Sequence, residues 1–400
     1  MLAYFFPPLG GGGVQRTLKF VKYLPEHGWE PTVLTVRGSP YPMRDPALAD
    51  ELPPGVRVLR ATELPLTPYL AMVLARLHLD RARHLIAWPD LSQGWLPAAV
   101  LRALREVRRR RPEVLYTTSA PYVAHLAGLV VHRLTGVPWV ADFRDEWSAN
   151  PHLQGVPPYL RRLGRRAERA VSSRARVVVV GDYFDIDGAP PENRITITNG
   201  VDPDDLVGLP APHPPPDRFR LTHVGTLYGD QDCAAVLAAL RRLLQRGRLD
   251  PARVELRIVG KVLLPGGGLD LPLGISQTGY VSHRQALVEM RRATTLLLYV
   301  GGASRAPSGK LYEYLTSERP ILCVARPDNL ARLVVREWDA GECADPDDGP
   351  AIERAVLEMY GRWERGLLAD LPGVRERAVR RFSRRALTGR LAAVLNEAAG

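Results

Sequence analysis

The chain is poor in cysteine, with only Cys233, Cys323 and Cys343 among 400 residues. Three thiols, odd in number and far apart, supply neither a disulfide framework nor a zinc site, and they fit a reducing compartment. A run of about 18 uncharged apolar residues is also missing, which excludes a membrane-spanning helix. The apolar start Met1–Phe6 is too short, and lacks the basic flank, for a secretory leader. No set of histidines, cysteines and carboxylates has metal-ligand spacing, so no metal is expected. Lysine is scarce beside arginine.

What remains is an ordinary mixture, 46% apolar and 24% charged, in a chain long enough for two hydrophobic cores. The net charge is +11, and residues 1–200 hold 26 Lys and Arg against 18 Asp and Glu. A basic first half suits a phosphate-rich partner or an anionic membrane surface. Arginine on solvated faces would give the same balance.

Short β-rich runs alternate with helix-period runs. Strands are expected at 31–36, 56–61, 113–118, 138–142, 176–181 and 194–200, with helices between them at 14–24, 97–110, 122–134 and 158–171. Nearly continuous apolar strands separated by helices mean a parallel sheet covered on both faces. The segment "GLPAPHPPPDRF" (208–219) has five prolines in twelve residues and reads as a linker. The alternation restarts at "RLTHVG" (220–225) and runs through strands at 254–260, 275–280, 294–301 and 320–325 to a predominantly helical tail. Two Rossmann-like domains facing a cleft follow from this order, and the ends of the strands are where ligands are expected.

Those ends carry the polar clusters. "FPPLGGGGVQR" (6–16) leads straight into a helix. As a dinucleotide fingerprint it fails, because the third glycine position is Gln15 and the next strand ends in Arg37 rather than an acid. "TTSAPYVAH" (117–125) offers Ser119, Tyr122 and His125 to sugar hydroxyls or phosphate, or simply caps a helix. "DFRDEW" (142–147) crowds Asp142 and Arg144 at a strand end, where they could orient a hydroxyl or pair with phosphate. "HVGT" (223–226) is a second strand-to-helix glycine loop, and "IVGK" (258–261) puts Lys261 just past a strand. In "SRAPSGKLYEYLTSERPIL" (304–322), Lys310 sits in a first helical turn, against the helix dipole unless an anion binds there. Glu313, three residues on, could accept from a ribose diol or pair with Lys310.

In their order these blocks, together with "ITNGVD" (197–202), resemble a family 4 glycosyltransferase of GT-B fold, in the subgroup of bacterial surface-polysaccharide transferases. The resemblance implies an α/β chain with a Rossmann-like acceptor-binding domain at 1–206, a Pro-rich linker at 207–218, and a Rossmann-like nucleotide-sugar domain at 219–375. It also implies a C-terminal helix at 376–400 packing back on the first domain. The implied donor site comprises Gly12, Gly13, Gly225, Thr226, Lys261, Tyr280, Val281, Arg305, Ser308, Gly309, Lys310, Leu311 and Glu313. Glu313 matches the second acid of the family's E-x7-E motif, the one that contacts ribose. Arg16, Ser119, Tyr122, His125 and Arg144 are expected at the acceptor, and Asp142, Lys310 and Lys261 at the reacting centre. Two departures stand out. Arg305 occupies the position of the first acid, and residues 226–230 carry no cation for the diphosphate; Lys261, Lys310 and Arg305 are expected to supply that charge.

The implied activity is retaining, metal-independent transfer from a nucleoside-diphosphate sugar, without a cofactor, to a glycan or lipid-linked acceptor. No nucleic acid is expected as a partner. The protein is expected in the cytoplasm; the run 67–88, which mixes apolar residues with Arg and His, and the basic amphipathic run 161–176 suit the inner face of the membrane, or else are helices with solvated basic faces. A sugar-nucleotide epimerase of the same architecture, or a degenerate transferase acting as a scaffold, are the competing functions.

Overall fold

The structure, a computed structural model, describes residues 1–64, 66–150, 156–227, 232–263, 273–301 and 307–400. It divides into two compact units, residues 1–199 with 384–400, and residues 200–383.

The first unit runs α1 (Gly12–Tyr23), β1 (Thr32–Arg37), β2 (Arg57–Thr62), α2 (Leu66–Arg76), α3 (Asp80–Ile86), α4 (Leu96–Arg110), β3 (Leu115–Ser119), α5 (Val123–Thr135), β4 (Trp139–Phe143), α6 (Pro158–Ser172), β5 (Arg176–Val179) and β6 (Arg194–Thr196). All strand pairs are parallel. The first residues of the chain complete the sheet. Leu2 bridges Leu34 on one side and Thr117 on the other, with Leu2 N donating to Tyr116 O at 2.8 Å and Ala3 N to Leu34 O at 3.0 Å. Counting that segment first, the strand order is 3-2-1-4-5-6-7, a doubly wound sheet.

The second unit runs β7 (Phe219–Val224), α7 (Ala234–Gln245), β8 (Val254–Val259), β9 (Gly274–Gln277), α8 (His283–Arg291), β10 (Thr295–Tyr299), α9 (Lys310–Thr316), β11 (Ile321–Val324), α10 (Leu330–Glu337), β12 (Gly341–Ala344), α11 (Gly349–Glu364) and α12 (Pro372–Phe382). Its parallel sheet has the order β12-β11-β10-β7-β8-β9, again 3-2-1-4-5-6 when counted from β7. All five residues of β10 are buried. Leu297 and Tyr299 pack with α7 and α11 on one face, and Leu296 and Leu298 with α9 and α10 on the other. Burial on both faces is why these strands read as continuous apolar runs rather than alternating ones.

The tail differs from the expected helical one. Gly341–Ala344 forms an edge strand whose register places Gly341 opposite Ile321. Gly341 has φ 147° and a Cβ there would lie 2.0 Å from Ile321 O, so only glycine fits. The helix expected over 376–400 is two helices that break at Ser383: α12, and α13 (Arg384–Ala399). Leu387, Leu391, Val394 and Leu395 of α13 pack against Phe20, Tyr116, Val140 and Val178 of the first unit. The run 67–88 is likewise two short helices, α2 and α3.

A doubly wound sheet opens a crevice where the strand order reverses. In the first unit that point lies between residues 1–3 and β3, so the glycine loop and Ser119 share it. In the second it lies between β7 and β10, so Gly225 is at its mouth.

Candidate functional site

In the second unit the end of β7 is tied down from below. Tyr314 on α9 accepts from Val224 N at 2.9 Å and donates to Leu297 O. This fixes the start of α9 against the strand end and brings Lys310 under Gly225. A Cβ on Gly225 would lie 2.3 Å from Lys310 Cε, and Gly225 has φ 136°; the loop closes over the lysine only because position 225 is glycine. Gly260 at the end of β8 (φ 149°) is packed as closely, with Gly225 O 2.2 Å from the position of its absent Cβ. The two loops then run side by side, Leu227 N donating to Lys261 O at 2.9 Å. Thus Gly225, Thr226, Lys261 and Lys310 converge on one edge, with Lys261 half-buried.

The partner of Lys310 is unusual. Its Nζ lies 3.3 Å from His223 Nε2. The other ring nitrogen, Nδ1, is 3.2 Å from Leu297 O, and a carbonyl only accepts. Nδ1 therefore carries the proton, and Nε2 accepts from the ammonium. Burial, and then the Lys310 cation, hold His223 well below the usual imidazole range, so it stays neutral. Burial also lowers the Lys310 pKa. Among the described residues no carboxylate lies within ion-pair distance of Lys310. A part-buried cation held by a neutral acceptor is poised for an anion from outside the protein.

Glu313 lies one turn along α9. His283 Nε2 is 3.0 Å from Glu313 Oε1, and His283 Nδ1 is 3.8 Å from Asp205 Oδ2. Tyr280 and Val281, both half-buried, immediately precede Ser282, the N-cap of α8. Ser308 caps the backbone of Lys310 and Gly309 precedes it. Leu311 is a core residue packed beneath the sheet. Arg305 lies outside the described residues.

The first unit treats its predicted residues differently. Asp142, expected at the reacting centre, is fully buried at the end of β4. Arg16 clasps it with Nε and Nη2 at 2.9 and 2.8 Å, and Tyr116 and Thr118 hydroxyls donate to Oδ2 at 2.6 and 3.0 Å. Burial pushes its carboxyl up, but Arg16 and Tyr116 outweigh that and hold it below the usual range. Arg16, expected at the acceptor, gives its remaining nitrogen to Thr198 O at 2.8 Å. The pair is a buried ion pair tying α1 to the sheet, its side chains 1% and 0% exposed.

His125 is a core histidine, against Thr117 Oγ1 at 2.7 Å and Phe143; burial lowers its pKa to about 3. Tyr122 stacks on Trp147 and donates to Glu146 O. Ser119 is buried, and its carbonyl accepts from Arg144. Arg144 also donates to Gly13 O at 2.5 Å and Ala120 O at 2.8 Å, stapling the glycine loop to the β3–α5 loop. These residues build the crevice rather than line it. Gly12 alone among them is exposed, and a Cβ there meets nothing within 4 Å.

Buried acids elsewhere in this unit were not singled out by sequence. Asp90 accepts from Val123 N at the start of α5, and burial raises it to about 6. Glu168 is fully buried on α6, takes both the hydroxyl and the N–H of Ser148 on one oxygen, and is raised by burial to about 7. Because the folded protein favours the protonated form, Glu168 supports stability fully below pH 4.5 and loses that contribution as pH rises through 7. Glu168→Gln is therefore expected to gain about 3 kcal/mol relative to wild type between pH 4.5 and 8. Urea denaturation at several pH values checks this, and parallel pH profiles for the two proteins would contradict it.

Residues 11–182 match the glycosyl transferase 4-like domain. That domain spans most of the first unit, from the glycine loop past β5. Among curated proteins nothing matches the chain. Among solved structures, the chain is similar to Anabaena HepE in complex with UDP, at 14% identity and TM-score 0.63, covering 99% of this chain and 98% of that one. It is also similar to the kitacinnamycin glycotransferase, at 16% identity and TM-score 0.55, over 96% and 95% of the two chains. The fold is GT-B: two Rossmann-like units, each with a doubly wound sheet. The structure brings together Lys310 and Gly225, which come from separate stretches of the sequence, and adds His223, which the sequence analysis did not single out although "HVGT" holds it two residues before Gly225.

Proposed function

We propose that this protein is a retaining, metal-independent glycosyltransferase that moves a sugar from a nucleoside-diphosphate donor to a glycan or lipid-linked acceptor in cell-surface polysaccharide biosynthesis. The observation that carries the reading is Lys310, a cation without a carboxylate partner among the described residues, held by neutral His223 under Gly225 at the strand-order switch. The departing diphosphate gains charge as the glycosidic bond breaks. A preorganised cation there stabilises the transition state more than the ground state. Lys261 on the neighbouring loop is the second cation of this site, and Glu313 takes the ribose hydroxyls. HepE, of similar fold, binds UDP, which makes UDP the first nucleotide to try.

The reaction needs no enzyme carboxylate as nucleophile in this reading, and the burial of Asp142 agrees with that. On the first unit the substrate-facing backbone is the glycine loop. Gly12→Trp is expected to abolish transfer while leaving Tm unchanged, because Gly12 is exposed and a Cβ there meets nothing within 4 Å. A variant that keeps full turnover would remove the loop from the site. A lipid-linked acceptor at a membrane is supported by exposed Tyr69, Met72, Leu77, Leu79 and Leu85 on and around α2 and α3, beside Arg76. The basic face of α6, with Arg161, Arg162, Arg165 and Arg166, suits anionic lipid.

Incubation with UDP-, GDP- and dTDP-sugars, with and without membrane lipid extract, tests the proposal. Acceptor-dependent release of nucleoside diphosphate with the donor's anomeric configuration kept in the product is the expected result. Turnover of sugar nucleotide to a second sugar nucleotide without acceptor would identify an epimerase instead, and no turnover of any donor would contradict catalysis.

A further inference from the structure

We infer that His283 is a positioning residue for nucleotide recognition: it holds the Glu313 carboxylate in the orientation that accepts the ribose hydroxyls. The inference rests on the donor-site reading of Glu313 given above. The geometry is specific. Ser282 caps α8 through a complete capping box with Gln285, its side chain accepting from Gln285 N while the Gln285 side chain accepts from Ser282 N. This fixes the backbone at the first residue of the helix, which is His283. From there the imidazole reaches across to α9, with Nε2 3.0 Å from Glu313 Oε1. Its other face meets Asp205, 3.8 Å from Nδ1, in the turn at Pro203–Leu206.

The chain Asp205–His283–Glu313 therefore joins three separate elements. Because Glu313 Oε1 can only accept, Nε2 carries a proton. A carboxylate has about four lone-pair sites, and His283 occupies one of them. A cis-diol needs two acceptors in a set plane, so a glutamate held by a rigid ring recognises ribose better than one free to rotate. The three side chains are between 14% and 24% exposed, dry enough for the contact to hold and open enough for a ligand to reach it.

A residue that merely ties α8 to α9 would, on removal, weaken every nucleotide alike. A positioning residue affects only nucleotides that have the hydroxyl in question. The test is calorimetric titration of UDP, GDP, ADP and CDP, each beside its 2′-deoxy counterpart, using the full-length protein and the tightest pair. Wild type is expected to prefer the ribonucleotide by about tenfold. H283L and E313A should each bring the ratio to about one, while H283Q, which retains a donor at the Nε2 position, should keep most of it. If H283L does not fold, H283N reads the same ratio.

A wild-type preference kept by H283L but lost by E313A overturns the role of His283 and leaves the donor-site reading standing. A preference kept by E313A overturns the reading of Glu313 and the inference with it. So does a wild type that binds no diphosphate or ignores the 2′-hydroxyl.

Discussion

Lys310→Met should lower kcat/KM for sugar transfer by about 10²–10³-fold, with no loss of stability. Methionine keeps the length of the side chain beneath Gly225 and removes the cation. It also removes a charge that burial disfavours, so Tm should hold or rise. Lys310→Arg is not a conservative alternative. The space under Gly225 already excludes a single added carbon, and the planar guanidinium is bulkier than an ammonium. The arginine variant should therefore lose both activity and stability. Lys261→Met, on the more open loop, should give a smaller fall, mainly in donor KM. Steady-state kinetics with the best donor, with thermal melts of each variant, check the set. Full activity in both methionine variants would mean that the diphosphate is neutralised elsewhere.

Asp142→Ala gives the other large effect, and it falls on stability. The substitution leaves Arg16 buried with its charge uncompensated, and strands the hydroxyls of Tyr116 and Thr118. Breaking a buried pair in this way costs about 3–5 kcal/mol. Urea denaturation of the purified variant is the measurement. The double variant Arg16→Met with Asp142→Leu should recover part of the loss, since an apolar pair removes the stranded charge. A stable Asp142→Ala protein that folds normally but has lost turnover would restore Asp142 to the reacting centre.

Asp142 also shows where sequence reading stops. "DFRDEW" placed a carboxylate at a strand end, and the strand is where it was expected. Whether that carboxylate faces a crevice or the core depends on an arginine 126 residues away in the chain, and no local pattern encodes that pairing. The same holds for His125: its place one turn into α5 was legible, but its neighbours Thr117 and Phe143 come from other strands. The strands and helices themselves were largely legible, because strands buried on both faces become continuous apolar runs and the covering helices keep their period. β12 was not, since Gly-Glu-Cys-Ala has no such run and its pairing is fixed by a glycine under Ile321 O.

In the second unit the residues proposed for the donor site lie in separate fragments of the sequence. Lys in a first helical turn looked locally unfavourable, and the structure supplies the reason it is tolerated: an acceptor, His223, on the adjacent strand. The capping box Ser282–Gln285 was written in the sequence as S-x-x-Q, yet its consequence, the aim of His283 at Glu313, required the placement of α9.

On the proposed reading, the second unit binds a nucleoside diphosphate through Lys310. Isothermal titration of UDP, GDP and ADP into wild type and Lys310→Met tests it most directly. Saturable binding of one of these to wild type is expected, weakened at least tenfold by the substitution, with the corresponding nucleoside bound equally by both proteins. Equal diphosphate affinity in the two proteins would contradict it.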